Sequence, residues 1–244
     1  MIEVKNLCKN YGDFKAVKDI SFTVSLPEVL GFLGPNGAGK TTVMKTLTGC
    51  HYPTSGEVYI NGISVIDYPV EIKKLIGYLP ENNPLYGDLT PSEYLYFIAS
   101  ARLIKKTEIK EAVNRVISLC SLEEYRNRKI ETLSKGYKQR LGLAQTLIHD
   151  PPIIILDEPT IGLDPNQILE IRSLIKELGK TKTLILSTHF LKEVEALCSR
   201  ILILNRGKIA AQGSIEEIVH ECGLENNENS LEAVFSSLTG GKDA

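Results

Sequence analysis

The chain moves through three apolar rhythms. Over residues 2–25 and 56–66, short β-branched stretches recur, IEVKNL, ISFTVS and GEVYINGISV, with a turn signal at Asn61-Gly62. Such stretches predict antiparallel strands and hairpins. Over residues 91–149 the spacing becomes helical: Leu95, Ile98 and Ala99, then Val113, Val116, Ile117 and Leu119, with one break near Leu133-Ser134. From 151 onward, apolar runs of strand length (IIIL at 153–156, ILIL at 201–204) alternate with helical segments. That alternation predicts βα units around a parallel sheet. VLGFL (29–33), LIGYLPE (75–81) and KTLILSTH (182–189) are further strand runs. The predicted fold class is α/β: a mainly parallel sheet, an N-terminal antiparallel β part and a helical insertion. Residues 1–84 and 151–221 form the expected core and 85–150 the helical part. A tail at 222–244 is rich in Glu, Asn, Ser and Gly around the apolar stretch LEAVFSSL. No internal repeat or long linker interrupts this single domain.

Composition narrows the picture. The 244 residues are 43% hydrophobic and 24% charged, as in ordinary globular proteins. A net charge of -2 gives no general pull toward nucleic acid or anionic lipid, so no nucleic-acid partner is expected. No run approaches the roughly 18 apolar residues of a membrane span, and the N-terminus has no signal-peptide pattern. A cytoplasmic location is the expectation. The cysteines, Cys8, Cys50, Cys120, Cys198 and Cys222, are scattered without a C-x-x-C pair, which favours free thiols over zinc or disulfides.

The chemistry concentrates at strand ends. Gly34 to Thr41, GPNGAGKT, fits G-x-x-x-x-G-K-[ST] between a strand run and the helical run TTVMKTLTG. Gly34, Pro35, Asn36, Gly37, Ala38 and Gly39 make a loop that is nearly all backbone. Its N–H groups, with those of Lys40, Thr41 and Thr42, form an anion nest at a helix N-terminus, where the helix dipole also favours phosphate. Lys40 is placed to reach β- and γ-phosphates, and Thr41 to ligate Mg²⁺. PPIIILDEPT (151–160) is an apolar strand running straight into two acids. Burying Asp157 and Glu158 is costly unless they have a cation or a proton-transfer task. Mg²⁺ supplies the first for Asp157; Glu158 can polarise a water for attack on a γ-phosphate. Two other strand runs end at Glu81 and His189. Together the runs deliver Gly34, Glu81, Asp157, Glu158 and His189 to their carboxyl ends, where parallel sheets bind ligands.

With these motifs in place, the chain resembles the nucleotide-binding subunits of ABC transporters over essentially its whole length. LSKGYKQR (133–140) is similar to the family signature LSGGQ, with Lys135 and Tyr137 departing from it while Ser134 and Gly136 remain. The resemblance implies a P-loop NTPase core that binds ATP with Mg²⁺ and hydrolyses it to drive transport. It implies that Tyr11 stacks on adenine, with Phe14 the second candidate, and that His189 contacts the γ-phosphate. Ser134, Gly136 and Asp164 (in IGLD, 161–164) would serve the nucleotide or loops of a second ATPase subunit, in a head-to-tail dimer bridged by ATP. Glu81 stands where the family has a glutamine, able to approach Mg²⁺ and close to the surface for a separately encoded membrane-spanning partner. That partner would hold the protein at the cytoplasmic face of the inner (cell) membrane, docking around Glu81 and 85–130, with YLYF (94–97) as contacts. LPENNPLYGDLTPSEYL and the closing LEAVFSSLTG resemble ABC-2-type exporters. The other reading is a soluble ABC ATPase acting on ribosomes or DNA. A single cassette copy with a helical insertion of ordinary size favours the transporter.

Overall fold

The computed structural model describes residues 1–223 and 230–240. Along the chain the strands are β1 (Ile2–Tyr11), β2 (Phe14–Val24), β3 (Val29–Leu33), β4 (Ser55–Ile60), β5 (Ile63–Ser64), β6 (Ile76–Leu79), β7 (Ile153–Asp157), β8 (Thr183–Thr188), β9 (Arg200–Asn205) and β10 (Lys208–Gly213). The helices are α1 (Lys40–Leu47), α2 (Pro69–Leu75), α3 (Pro91–Ala101), α4 (Ile109–Leu119), α5 (Lys135–Leu147), α6 (Pro165–Gly179), α7 (Leu191–Leu197), α8 (Ile215–Glu221) and α9 (Ser230–Thr239).

One sheet, in the order β2-β1-β4-β5, is antiparallel. Its β4–β5 hairpin turns at Asn61 and Gly62, both at positive φ (51° and 78°), the primed-turn geometry that an Asn-Gly pair accepts. The other sheet has the order β10-β9-β3-β8-β7-β6 and is parallel except for β10. Every residue of β7 and β8 is buried. Their runs are apolar throughout because both faces are covered. Ile153, Ile155 and Ile185 face α1 and the antiparallel sheet, while Ile154, Leu156, Leu184 and Leu186 face α5, α6 and the helical region.

The helical region lies between β6 and β7. Leu95, Ala99, Val113, Val116 and Ile117 are buried there as their spacing predicts. Leu119 departs from that expectation, 37% exposed at the last turn of α4. Of YLYF, Tyr94 and Leu95 are core, whereas Tyr96 and Phe97 lie on the surface. The apolar stretch near the end of the chain forms α9, whose Leu231 and Val234 pack with Leu33, Val194 and Ile203. Expectations for 224–229 and 241–244 fall outside the described residues. Among the described residues no helix is long and apolar enough to cross a membrane, and all five cysteines are free thiols.

His149, just past α5, ties that helix to β6, its Nε2 3.2 Å from the Ile76 carbonyl oxygen. Burial, with the charge of Arg102 second, pushes its pKa from 6.5 down to about 4. The folded protein therefore refuses a proton that the unfolded chain takes up between those values. Stability should be intact above pH 6.5 and fall as the pH drops toward 4. The loss is about 1–2 kcal/mol, allowing for the ring's remaining contact with solvent. Urea-unfolding midpoints at the two ends of this window should show that loss, and His149→Gln should flatten it.

Candidate active site

The loop between β3 and α1 uses its glycines for two different purposes. A Cβ at Gly34 would strike the Leu204 carbonyl, and one at Gly39 would lie 2.7 Å from the Ala16 carbonyl oxygen. These two positions are small because neighbouring backbone lies against them. Gly37 has nothing within 4 Å of where its Cβ would be and a φ of 79°. Its positive φ, and no neighbouring group, is what favours glycine there. Gly39, at φ 108°, begins α1 without a side-chain cap, and the first turn carries no acidic residue. No acid of the helix's own first turn therefore offsets its positive end. Lys40 folds back over the loop, its ammonium donating to the Gly34 carbonyl at 2.7 Å and lying 3.5 Å from Glu158 Oε1.

The ends of β7 and β8 meet this loop in register, Asp157 beside Ser187. Ser187 Oγ donates to Asp157 Oδ1 at 2.5 Å, and Thr41 Oγ1 donates to the same oxygen at 3.2 Å. Asp157 Oδ2 is buried with no hydrogen-bond partner among the described residues. A buried acceptor of that kind is costly unless something donates to it or a cation meets it. Glu158 has a φ of 50°, in the left-handed region that side chains resist. Its N–H is held by the Ser187 carbonyl (3.2 Å) and Ser187 Oγ (3.1 Å). Its carboxylate stands between Lys40 and His189, with His189 Nδ1 2.9 Å from Oε2.

Lys40, Thr41, Glu158 and His189 open onto one cleft of about 420 Å³, with Asp157 and Ser187 buried behind them. Its walls run from Tyr11 and Phe14 past Asn36, Gly37, Ala38, Gly39, Lys40, Thr41 and Thr42 to Glu81, Glu158 and His189. Tyr11 is 44% exposed, and its hydroxyl is 2.7 Å from His51 Nδ1. Burial, then the charges of Lys45 and Lys9, hold the His51 pKa below its usual range. Glu81 is exposed at the rim.

Ser134, Gly136 and Asp164 lie away from this cleft, around the start of α5 and α6. Ser134 occupies the N-cap position of α5, but its side chain makes no capping bond there. Gly136 is buried against the Gln167 side chain, which a Cβ would displace. Asp164 caps α6, accepting from the Gln167 N–H at 3.0 Å. Tyr137, a departure from LSGGQ, stacks on Tyr125 with ring centroids 3.7 Å apart. Sequence reasoning missed Ser187, His51, Ala16 and Ile161 as neighbours of the site. For Ser187 a signal existed: a Ser-Thr pair closing a fully buried strand after the apolar run Leu184–Leu186.

The family described as "ABC transporter" matches residues 17–161. This chain belongs to the ABC transporter family. It is 38% identical over 218 residues to the ABC transporter ATP-binding protein YxlF of Bacillus subtilis (strain 168), covering 89% of this chain and 72% of the relative. It is 36% identical over 225 residues to the Nod factor export ATP-binding protein I of Rhizobium sp. (strain N33), covering 90% and 73%. The dimeric structure of a bacterial ABC transporter cassette superposes with a TM-score of 0.81 at 28% identity, covering 88% of this chain and 99% of that one. The chain is thus an ABC ATP-binding cassette with the P-loop NTPase fold, and the cleft lined by Lys40, Glu158 and His189 lies at the carboxyl ends of the parallel strands.

Within that ABC cassette Ser187 is the support of a buried acid. Ser187→Ala should lower stability at pH 7 by about 1–3 kcal/mol, by removing the shorter of the two hydrogen bonds to Asp157 Oδ1 and leaving only the one from Thr41. In an Asp157→Asn background the same change should cost less. Urea denaturation of the four proteins measures the difference.

Proposed function

We propose that the protein is the ATP-hydrolysing subunit of an ABC-2-type exporter. In this reading it works as a head-to-tail dimer docked on a separate membrane-spanning partner at the cytoplasmic face of the membrane. The observation that carries the hydrolytic reading is the convergence of Lys40, Thr41, Glu158 and His189 on one cleft, with Asp157 buried behind Thr41, beside a helix whose first turn has no acidic residue.

Each residue then has a task. Backbone N–H groups of the loop and Lys40 hold the β- and γ-phosphates, Lys40 exchanging the Gly34 carbonyl for phosphate oxygen. Tyr11, steadied by His51, carries the adenine. Thr41 and Asp157 suit Mg²⁺: a hydroxyl and a carboxylate with an unpartnered buried oxygen are hard oxygen donors, and such a site is completed by phosphates and water. Among the described residues no group of three or more acidic, His or Cys side chains is placed to hold a metal ion by itself. Bound there, Mg²⁺ would neutralise charge on the phosphates. Glu158 accepts a hydrogen bond from the attacking water and draws its proton, while His189 orients Glu158 and faces the γ-phosphate. Glu81 at the rim monitors this end of the cleft.

Relatives named for export support the exporter reading, and the dimeric cassette supports a second subunit. Ser134, at the N-terminus of α5, then completes the partner's site; Gly136 lets α5 and α6 pack closely behind it. The exposed Tyr86, Tyr96 and Phe97, with the Tyr86 and Phe97 rings 5.6 Å apart, offer an aromatic docking face near Glu81.

Lys40→Ala should abolish nucleotide binding or turnover, and Glu158→Gln should bind ATP while losing about 10²-fold or more of its hydrolysis. Preserved turnover in either variant contradicts these assignments. For the shared site, Ser134→Arg and Lys40→Ala subunits should each be inactive alone. A mixed dimer keeps one intact composite site, so ATPase activity should return on mixing. No recovery, from folded proteins that still dimerise, would overturn the head-to-tail arrangement.

A further inference from the structure

Residues 158–160 leave β7 through the left-handed conformation of Glu158 (φ 50°). Such a turn persists only where its surroundings over-determine it. Three neighbours do so here. Ser187 binds the Glu158 N–H, and Gln139 of α5 donates through Nε2 to the Pro159 carbonyl at 2.8 Å. The Thr160 hydroxyl donates to Glu193 Oε1.

The last contact is the unexpected one. Glu193 stands in the first turn of α7 and is 1% exposed; Thr160 is 3% exposed. A carboxylate is costly to bury unless it is paired and hydrogen-bonded. Yet Arg172 of α6 comes only to 3.7 Å of Oε1, and Oε2 has no hydrogen-bond partner among the described residues. Helix packing does not require an acid at this position, since Val194 beside it already supplies the apolar anchor. What the carboxylate does is join two segments. Thr160 lies two residues after Glu158, and Glu193 lies four residues after His189. One side-chain bond thus closes a bracket around the Glu158–His189 pair.

We propose that Glu193 is a positioning residue for hydrolysis, holding Thr160 so that Glu158 and His189 keep their mutual distance and angle. The inference rests on the reading of that pair as hydrolytic machinery. Glu193 does not line the nucleotide cleft, so its loss acts on turnover rather than on nucleotide affinity.

Steady-state ATPase assays on the full chain over a range of ATP concentrations test this. Glu193→Ala and Thr160→Val should each lower kcat by about 10- to 100-fold, the scale of a displaced catalytic group, with KM within about three-fold of the parent. Glu193→Gln keeps an acceptor for Thr160 and should recover most of what Glu193→Ala loses. The doubly substituted Glu193→Ala, Thr160→Val chain should be no slower than either single variant. The proposal is overturned by parent-like turnover in Glu193→Ala, by a loss that falls on KM, by additive losses in the double variant, or by a Glu193→Gln as slow as the alanine variant. If Glu193→Ala does not fold, Thr160→Val decides, and parent-like kcat there overturns it. A parent chain without ATPase activity defeats the functional reading and this inference together. A parent that depends on Glu158 but is indifferent to Glu193 and Thr160 defeats the positioning role alone.

Discussion

Two acids at the end of a fully buried apolar strand are the constraint around which this molecule is arranged. Asp157 is 0% and Glu158 6% exposed. Their burial would be prohibitive without donors and cations nearby. The surroundings supply these from separate parts of the chain: Ser187 from the adjacent strand, Thr41 and Lys40 from the phosphate loop, and His189 from the segment after β8. The parallel sheet is what makes this possible. It brings strands distant in sequence side by side with their carboxyl ends level, so loops that follow them converge. The apolar faces that bury these strands and the polar cluster at their ends are consequences of the same topology.

The same turn connects the two ends of the cassette. Gln139, on the helix that begins at the signature motif, holds the Pro159 carbonyl. Gln167, beside the Asp164 cap, covers Gly136. The surface proposed to face a second subunit is therefore built directly onto the turn that bears Glu158. In a dimer, a shift of α5 against its partner's nucleotide would be felt at Pro159 of its own chain without any long relay. The departures Lys135 and Tyr137 sit in this region without disrupting it. Tyr137 is absorbed by stacking on Tyr125, and Lys135 lies against Gly162.

Much of this was legible in the sequence because the signals were strong for physical reasons. The run IIIL is apolar at every position since both faces of β7 are covered. Asn61-Gly62 marked its hairpin because few residues accept positive φ. The phosphate loop was readable from glycine spacing. What that spacing concealed was the division of labour: Gly34 and Gly39 yield to neighbouring backbone, and only Gly37 opens onto free space. Ser187, His51 and Glu193 escaped because their roles depend on register and on contacts between segments 30 or more residues apart. Leu119 misled because helical periodicity identifies a face but not where its helix leaves the core. The left-handed backbone of Glu158 had no sequence signal, since glutamate does not favour that conformation.

In the proposed function, the buried acids at the end of β7 are matched to a divalent cation held together with nucleotide phosphate. Thermal unfolding in ATP with Mg²⁺, against ATP with a chelator, tests it most directly, because ligand binding to the folded state raises the midpoint. The parent should unfold several degrees higher with Mg²⁺ than without it, by roughly the shift that 1–2 kcal/mol produces in a domain of this size. In Asp157→Asn that increment should vanish while the chelator midpoint stays near the parent's. Equal midpoints with and without Mg²⁺ in the parent, or an undiminished increment in Asp157→Asn, would contradict the account.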